Sequence, residues 1–337
     1  MTLMNVTEIP FKYLSKLDGR PERAVVSLEE VQRAAEVIYN TSCLKPTKER
    51  MLALNVMKAA CDRIEPDAYK RFYTRNENIP ATELERIYRD SPALWWYDDA
   101  FRKILYEMLY TPVADGHPVL WFAYNMGYVI KTSTALFTID LHHRLSTQLV
   151  QYIVFAGITH NHDDHYTIPF ADAVNGAGKP LLTNFFSNSG YLNEKGQSGY
   201  SKEAQRTMKI GDVIVKTFES DHNCKLRRFV QPIEIHCGTE KNRRVILTCG
   251  DTCDAKQLDV CAKRPDCYIV HPYVGLDVGE AARILQPKMT LISHLQEFHH
   301  PIHAARWTWR QGYEAAQKCW EAGSSAVVPT WGEKIVL

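Results

Sequence analysis

Thr159-His160-Asn161-His162-Asp163-Asp164-His165 contains the pattern His-x-His-x-Asp-His, which puts three imidazoles and the Asp164 carboxylate within six residues. Imidazole nitrogen and carboxylate oxygen are both good ligands for borderline metals such as zinc. In a short loop the alternate residues His160 and His162 can point at one ion, while the consecutive Asp164 and His165 turn towards a second. The string therefore asks for two metals, and it needs further ligands from elsewhere in the chain.

Those ligands stand at the ends of apolar runs that read as strands. Upstream, Ala135–Ile139 ends at Asp140, and Tyr152–Ile158 ends at the histidine string itself. Downstream, Val213–Phe218 leads to Asp221-His222, Arg244–Thr248 to Cys249-Gly250-Asp251, and Met289–Ser293 to His294. Of the 13 histidines, ten fall between positions 160 and 303.

The order Asp, His-x-His-x-Asp-His, His, Asp, His resembles the metallo-β-lactamase superfamily over roughly residues 110–337. The resemblance implies an α/β fold, an αββα sandwich, and a ligand set. His160, His162 and His222 would hold a first ion, Asp164, His165 and His294 a second, and Asp251 would bridge them. Asp140 would stand behind the ligands. Zinc is the expected ion, with manganese or iron as alternatives; iron-holding members usually carry Glu where His162 stands. A finer similarity runs from Asp266 through Val278-Gly279-Glu280-Ala281-Ala282 and Pro287-Lys288 to Ile292-Ser293-His294. It looks like the branch of the ascorbate-phosphate lactonase and the phosphodiesterases that cleave phospholipid head groups. Where that branch often has a C-terminal Pro-x-His-x-Gly, this chain has Pro329-Thr330-Trp331-Gly332, which predicts a tryptophan at the pocket rim and a changed substrate.

Other residues stay open between a chemical and a structural role. His299, His300 and His303 follow His294 closely, and one of them could replace it as ligand. A helix starting near Pro301 would make His299 and His300 capping or surface residues. Glu297 is similarly balanced. His271, after a buried-looking strand, reads as a core histidine or a pocket wall. His117, His142, His143 and His236 read as structural, and Cys249 and Cys253 as small thiols beside the site.

Composition is that of a soluble enzyme: 45% hydrophobic residues, net charge +1, and no apolar run near the ~18 residues a membrane span requires. Near-zero charge argues against extended nucleic-acid binding. Nine scattered cysteines and the absence of a basic, then apolar, start at Met1–Glu8 point to a reducing cytoplasm. Two regions are expected. Residues 1–110 read as helices, with capping-box spacing at Ser27-Leu28-Glu29-Glu30 and further starts at Thr47, Thr82 and Pro92; this region serves as a cap or a homo-oligomer surface. Residues 111–337 form the catalytic sandwich, opening on a β-meander from Pro118 to Asp140.

Between two such ions a bridging water loses its proton near neutral pH, because coordination lowers its pKa from about 15.7 to about 7. The hydroxide would attack a carbonyl or phosphorus centre, Asp164 would orient it, and His299 or His300 would return a proton to the leaving group. The basic stretches Lys225-Leu226-Arg227-Arg228 and Lys241-Asn242-Arg243-Arg244 are either phosphate contacts or solvated hairpins. A small phosphate-bearing molecule is the expected substrate, with phosphodiester hydrolysis ahead of lactone opening. A non-catalytic metal-binding scaffold or sensor and a two-iron oxidoreductase are the other readings.

Overall fold

In the computed structural model, residues 11–17, 24–75, 78–185 and 206–337 are described. Helices α1 (Leu28–Tyr39), α2 (Lys48–Cys61), α3 (Pro66–Tyr73), α4 (Ala81–Asp90) and α5 (Pro92–Tyr110) come first. The α1 start is the predicted capping box: Ser27 Oγ accepts the Glu30 N–H, and Glu30 returns a carboxylate to the Ser27 N–H. Thr47 caps α2 and Pro92 opens α5. The sequence reading lacks α3, eight residues begun by Pro66 that carry buried Tyr69, Phe72 and Tyr73.

The strands β1 (Val119–Tyr124), β2 (Gly127–Lys131), β3 (Leu136–Ile139) and β4 (Phe155–Gly157) follow, then α6 (Ile168–Gly176) and β5 (Leu181–Leu182). After them come β6 (Arg206–Ile210), β7 (Val213–Thr217), β8 (Ile233–Cys237), β9 (Arg244–Thr248), β10 (Cys267–Val270), α7 (Val278–Leu285), β11 (Thr290–Ile292), α8 (Trp309–Glu321), β12 (Ala326–Val327) and β13 (Lys334–Val336). They form two mixed sheets, ordered β13-β1-β2-β3-β4-β5 and β12-β11-β10-β9-β8-β7-β6. The pairs β3/β4, β9/β10 and β10/β11 are parallel, so the carboxyl ends of neighbouring strands lie together.

Leu120, Phe122, Tyr128 and Ile130 of the first sheet share one core with Val215, Ile233, Ile235 and Ile246 of the second. Trp121, Ala123 and Val129, alternating with them, face Phe101, Ile104 and Met108 of α5 and Phe170 of α6. On the outside of the second sheet, α8 packs on β11 and β12 and α7 lies against α8. The result is the expected helix–sheet–sheet–helix layering.

The N-terminal helices join the same core. Trp96 of α5 stacks on Trp331 with ring centroids 4.4 Å apart and both rings buried. Trp331 therefore does not line a pocket rim, which corrects the expectation; it is consumed by packing, since an indole buried on both faces gains more than one at a wet edge. The helix expected near Pro301 is also absent. Residues 301–305 turn instead, with Ala305 at φ 66°, and α8 starts only where Thr308 forms a capping box with Gln311. No helix among the described residues is long and apolar enough to cross a membrane.

Candidate metal centre

Five strand ends and the loops beyond them meet at one edge of the sandwich. Asp140 ends β3 in a left-handed conformation, φ 44°. Its carboxylate accepts the Thr159 N–H at 2.7 Å and the Thr159 hydroxyl at 2.8 Å, clamping the end of β3 to the start of the histidine string. The same carboxylate lies 3.1 Å from His165 Nδ1, which leaves His165 Nε2 for the site. Thr159 has given its one hydroxyl proton to Asp140, so at 3.0 Å its oxygen can only accept from His160 Nδ1–H. That assigns the His160 tautomer and frees Nε2 as a lone pair.

Gly250, after β9, takes φ +51°, and a Cβ there would meet Thr159 Oγ1 at 2.6 Å. Only glycine lets the Asp251 turn come this close to the string. His294, two residues past β11, has φ 60°, and its N–H donates to Asn125 O at 2.8 Å. Asn125, in the β1–β2 turn at φ 56°, also donates from Nδ2 to Asp164 O (2.9 Å) and Asp164 Oδ2 (3.1 Å). It ties the string to the last strand end, a role invisible in a residue that reads as ordinary turn chemistry.

The donor atoms fall into groups. One atom each from His160, His162, His222 and Asp251 lies within 4.8 Å of the others, and the same holds for Asp164, His165 and His294. His160 Nε2 is 3.1 Å from His162 Nδ1, and His294 Nε2 is 3.1 Å from Asp164 Oδ2. Asp251 stands between the groups. Its Oδ2 is 3.4 Å from His222 Nε2 and 3.7 Å from His160 Nε2, whereas Oδ1 is 3.3 Å from His165 Nε2. All seven residues of the expected ligand set are thus brought together, with Asp140 directly behind them.

The donor set fits divalent cations. His165 Nε2 and Asp251 Oδ1 are buried and face one another without a hydrogen bond, although buried polar atoms almost always have a partner; a shared cation satisfies both. Protonation states differ between the two groups. Burial and the neighbouring His165 keep His160 well below the usual histidine range, and burial with His222 lowers His162. Burial opposes ionisation of Asp251 and Asp164, but the surrounding imidazoles outweigh it and hold both carboxyls well below their ordinary value. Burial opposes protonation of His165 and His294, but Asp164 and Asp251 outweigh it and raise both, His165 well above the usual histidine range; since neutral imidazole and ionised carboxylate are the ligand forms, an ion bound there would displace protons from these two.

His299 and His300 part company. His299 packs among rings, 5.0 Å from Tyr69, 5.4 Å from Tyr73 and 4.6 Å from His142 between centroids. His300 is half exposed, with Nδ1 2.7 Å from the buried Glu297 carboxylate. Glu297 also accepts the His299 and His300 N–H groups. Burial alone would raise its carboxyl, but these bonds bring it down to about 2. In return the hydrogen bond to Glu297 pushes His300 up to about 9. Asp164, Glu297 and His300 each place a donor atom within 4.8 Å of the others, so His300 adjoins the second group; His303 is exposed. Of the two basic stretches, Arg228 pairs with Glu219, and Arg244 with Asp266 and Gly116 O. Cys249 is buried beside the site with its thiol against Tyr268 OH. His142 meets Tyr69 OH at 3.1 Å, and His236 pairs with Glu234.

Two mixed sheets between helices, with a His/Asp cluster at the strand ends, make this the metallo-β-lactamase fold. No protein-family model and no curated protein matches the chain. Among solved structures it is similar to Igni18, a metallo hydrolase from Ignicoccus hospitalis, at 15% identity over 66% of this chain and 98% of that one, TM-score 0.48. The metallo-β-lactamase fold protein YhfI from Bacillus subtilis is similar at 11% identity over 66% of this chain and 100% of that one, TM-score 0.46. CmlA, a diiron β-hydroxylase from Streptomyces venezuelae, is similar at 15% identity over 67% of this chain, TM-score 0.46, and the chain spans 54% of its length. Likenesses at this level carry nothing about chemistry, which rests on the geometry above.

Proposed function

We propose that this protein is a hydrolase with two divalent ions, zinc by default, held by His160, His162 and His222 on one side and Asp164, His165 and His294 on the other. Asp251 is shared between them. The observation that carries the reading is the position of Asp251, whose carboxylate reaches imidazoles of both sets, with Oδ2 near His160, His222 and His294 and Oδ1 near His165. Bound there, a pair of divalent cations supplies Lewis acidity and a water acidic enough to serve as nucleophile at neutral pH. Asp164, fixed by Asn125, orients the attacking water. The substrate is small, with a phosphodiester ahead of a lactone.

His300 is the proton donor: Glu297 holds its Nδ1–H and supports the imidazolium, leaving Nε2 to protonate the leaving oxygen. His300 is pushed up to about 9, so the donor form persists through neutral pH and is lost as pH rises through that value. Cations bound nearby repel the imidazolium and bring this basic limb to lower pH. In His300→Gln, kcat is expected to fall by ~10²-fold and the basic limb of the pH–rate profile to disappear; an unchanged limb would move the donor elsewhere.

Asp140→Asn loses the acceptor that orients Thr159 and His165, and metal affinity is expected to fall ~10–100-fold, measured by chelator competition. The function itself is tested by elemental analysis together with phosphodiester and lactone turnover on one sample. Two metals per chain with phosphodiester turnover support the reading. Lactone turnover alone transfers the site to lactonase chemistry, and metal without any turnover favours a binding scaffold or sensor.

A further inference from the structure

We infer that Tyr73 donates its phenolic hydrogen to an oxygen of the bound substrate beside Asp164, so that the N-terminal region supplies part of the site; the inference rests on the hydrolase reading above. Tyr73 is the last residue of α3. Its ring stands 4.7 Å from His142, 5.4 Å from His299 and 5.1 Å from Tyr69 between centroids. The helix that carries it is pinned to the site. Buried Arg306 donates from Nη1 to Cys61 O and Ile64 O, both at 2.9 Å, and from Nε to His300 O at 2.9 Å. One guanidinium thus joins the turn before α3 to the loop that carries His300. Tyr69, one turn earlier in α3, meets His142 Nδ1 with its hydroxyl at 3.1 Å.

Packing alone leaves the hydroxyl unexplained, since a phenylalanine ring would fill the same space. The buried tyrosines Tyr69, Tyr97, Tyr124, Tyr128 and Tyr268 all engage their hydroxyls, and that of Tyr313 is sealed inside the core. Tyr73 is buried too, yet its hydroxyl is not sealed and has no hydrogen-bond partner among the described residues. The open phenols of Tyr106 and Tyr110 are different, because those whole side chains are exposed. The charges that act on the Tyr73 phenol are those of Asp163 and Asp164; burial first, and then these carboxylates, push it up to about 12. At neutral pH it is therefore an O–H donor without an acceptor in the protein. Asp164 belongs to the proposed ligand set, and Glu297 and His300 each place an atom within 4.8 Å of it, so the phenol stands on the side of the centre where the proton donor stands. A fixed donor contributes most where charge develops in the transition state, here on the non-bridging oxygen of a phosphodiester or the carbonyl oxygen of a lactone. Held by α3 and Arg306, the donor needs no reordering when substrate arrives.

The test is Tyr73→Phe in the metal-loaded full chain, assayed with a phosphodiester and a lactone beside wild type and His300→Gln, with metal content and thermal midpoint measured on the same preparations. Tyr73→Phe is expected to keep the wild-type metal content and midpoint and to lose ~10²-fold in kcat, with KM changed far less. It should also retain the basic limb of the pH–rate profile that His300→Gln loses. Replacing a non-bridging oxygen of the phosphodiester by sulfur, a weak acceptor, gives a second readout. The rate lost on that replacement should be smaller in Tyr73→Phe than in wild type, because the variant has no hydrogen bond there to lose. Unchanged kcat and KM, or a sulfur effect equal in both proteins, would overturn the inference. So would a loss of rate that tracks lost metal or a lowered midpoint, which marks a structural role. A wild type that turns over neither substrate overturns the hydrolase reading, and this inference with it.

Discussion

Asp251→Ala is expected to leave a folded protein that retains at most one metal per chain and has lost its turnover. The carboxylate faces both sets of donors: Oδ2 toward His160, His222 and His294, Oδ1 toward His165. Without it each ion loses a ligand and the only anionic link between them, leaving Asp164 as the remaining acidic ligand. Metal pairs contribute several kcal/mol to charge stabilisation in the transition state, and ~4 kcal/mol corresponds to about a thousandfold in rate. The backbone has little reason to move. Close approach to Thr159 is set by Gly250, and the neighbouring Thr252 keeps its own bonds to Ser220 Oγ and Cys249 O. Elemental analysis, turnover and circular dichroism on one preparation check all three parts. Wild-type metal content or turnover would remove Asp251 from the shared position.

What the sequence made legible follows from what is local. The string His160–His165 carries its ligand spacing within itself, and the β-branched run Arg244–Thr248 is β9 residue for residue. The shared edge of the sandwich follows because these strands run parallel and each ends in a ligating residue. The missed features are those whose reason lies far away in the chain. Asn125 satisfies turn chemistry on its own, and only the fold shows it holding Asp164, 39 residues away. His271 directly follows β10, and only the fold shows its ring stacked on that of His294. Analogy with a histidine-bearing segment puts Trp331 at the pocket rim, whereas packing against Trp96 buries it. The short α3 had a usable signal, Pro66 at the first position with aromatics at Tyr69, Phe72 and Tyr73. Its consequence is that Tyr73, from the N-terminal region, reaches His142 and His299 beside the centre.

Arg50→Ala is expected to cost ~3–5 kcal/mol of stability, the usual penalty for stripping one partner from a buried ion pair. Arg50 lies on α2, fully buried, and its guanidinium meets Glu333 just before β13 as well as Thr330 Oγ1. Glu333 also accepts the N–H groups of Cys43 and Thr330, so one carboxylate joins the α1–α2 connection, α2 and the C-terminal loop. Removing the guanidinium leaves that carboxylate buried with only neutral donors. Replacing both partners by apolar residues of similar size, Arg50→Met with Glu333→Leu, should recover much of the loss, because no unpaired charge remains. Trp331 lies in the same loop as Thr330 and Glu333 and stacks on Trp96, so the damage should spread to the seam between helices and sandwich. Urea unfolding measures the cost, and the order of events tells the two regions apart. If residues 1–110 were a self-contained cap, Arg50→Ala would unfold them first while the metals stayed bound; one core shared across the seam requires that metal release and helix loss occur together.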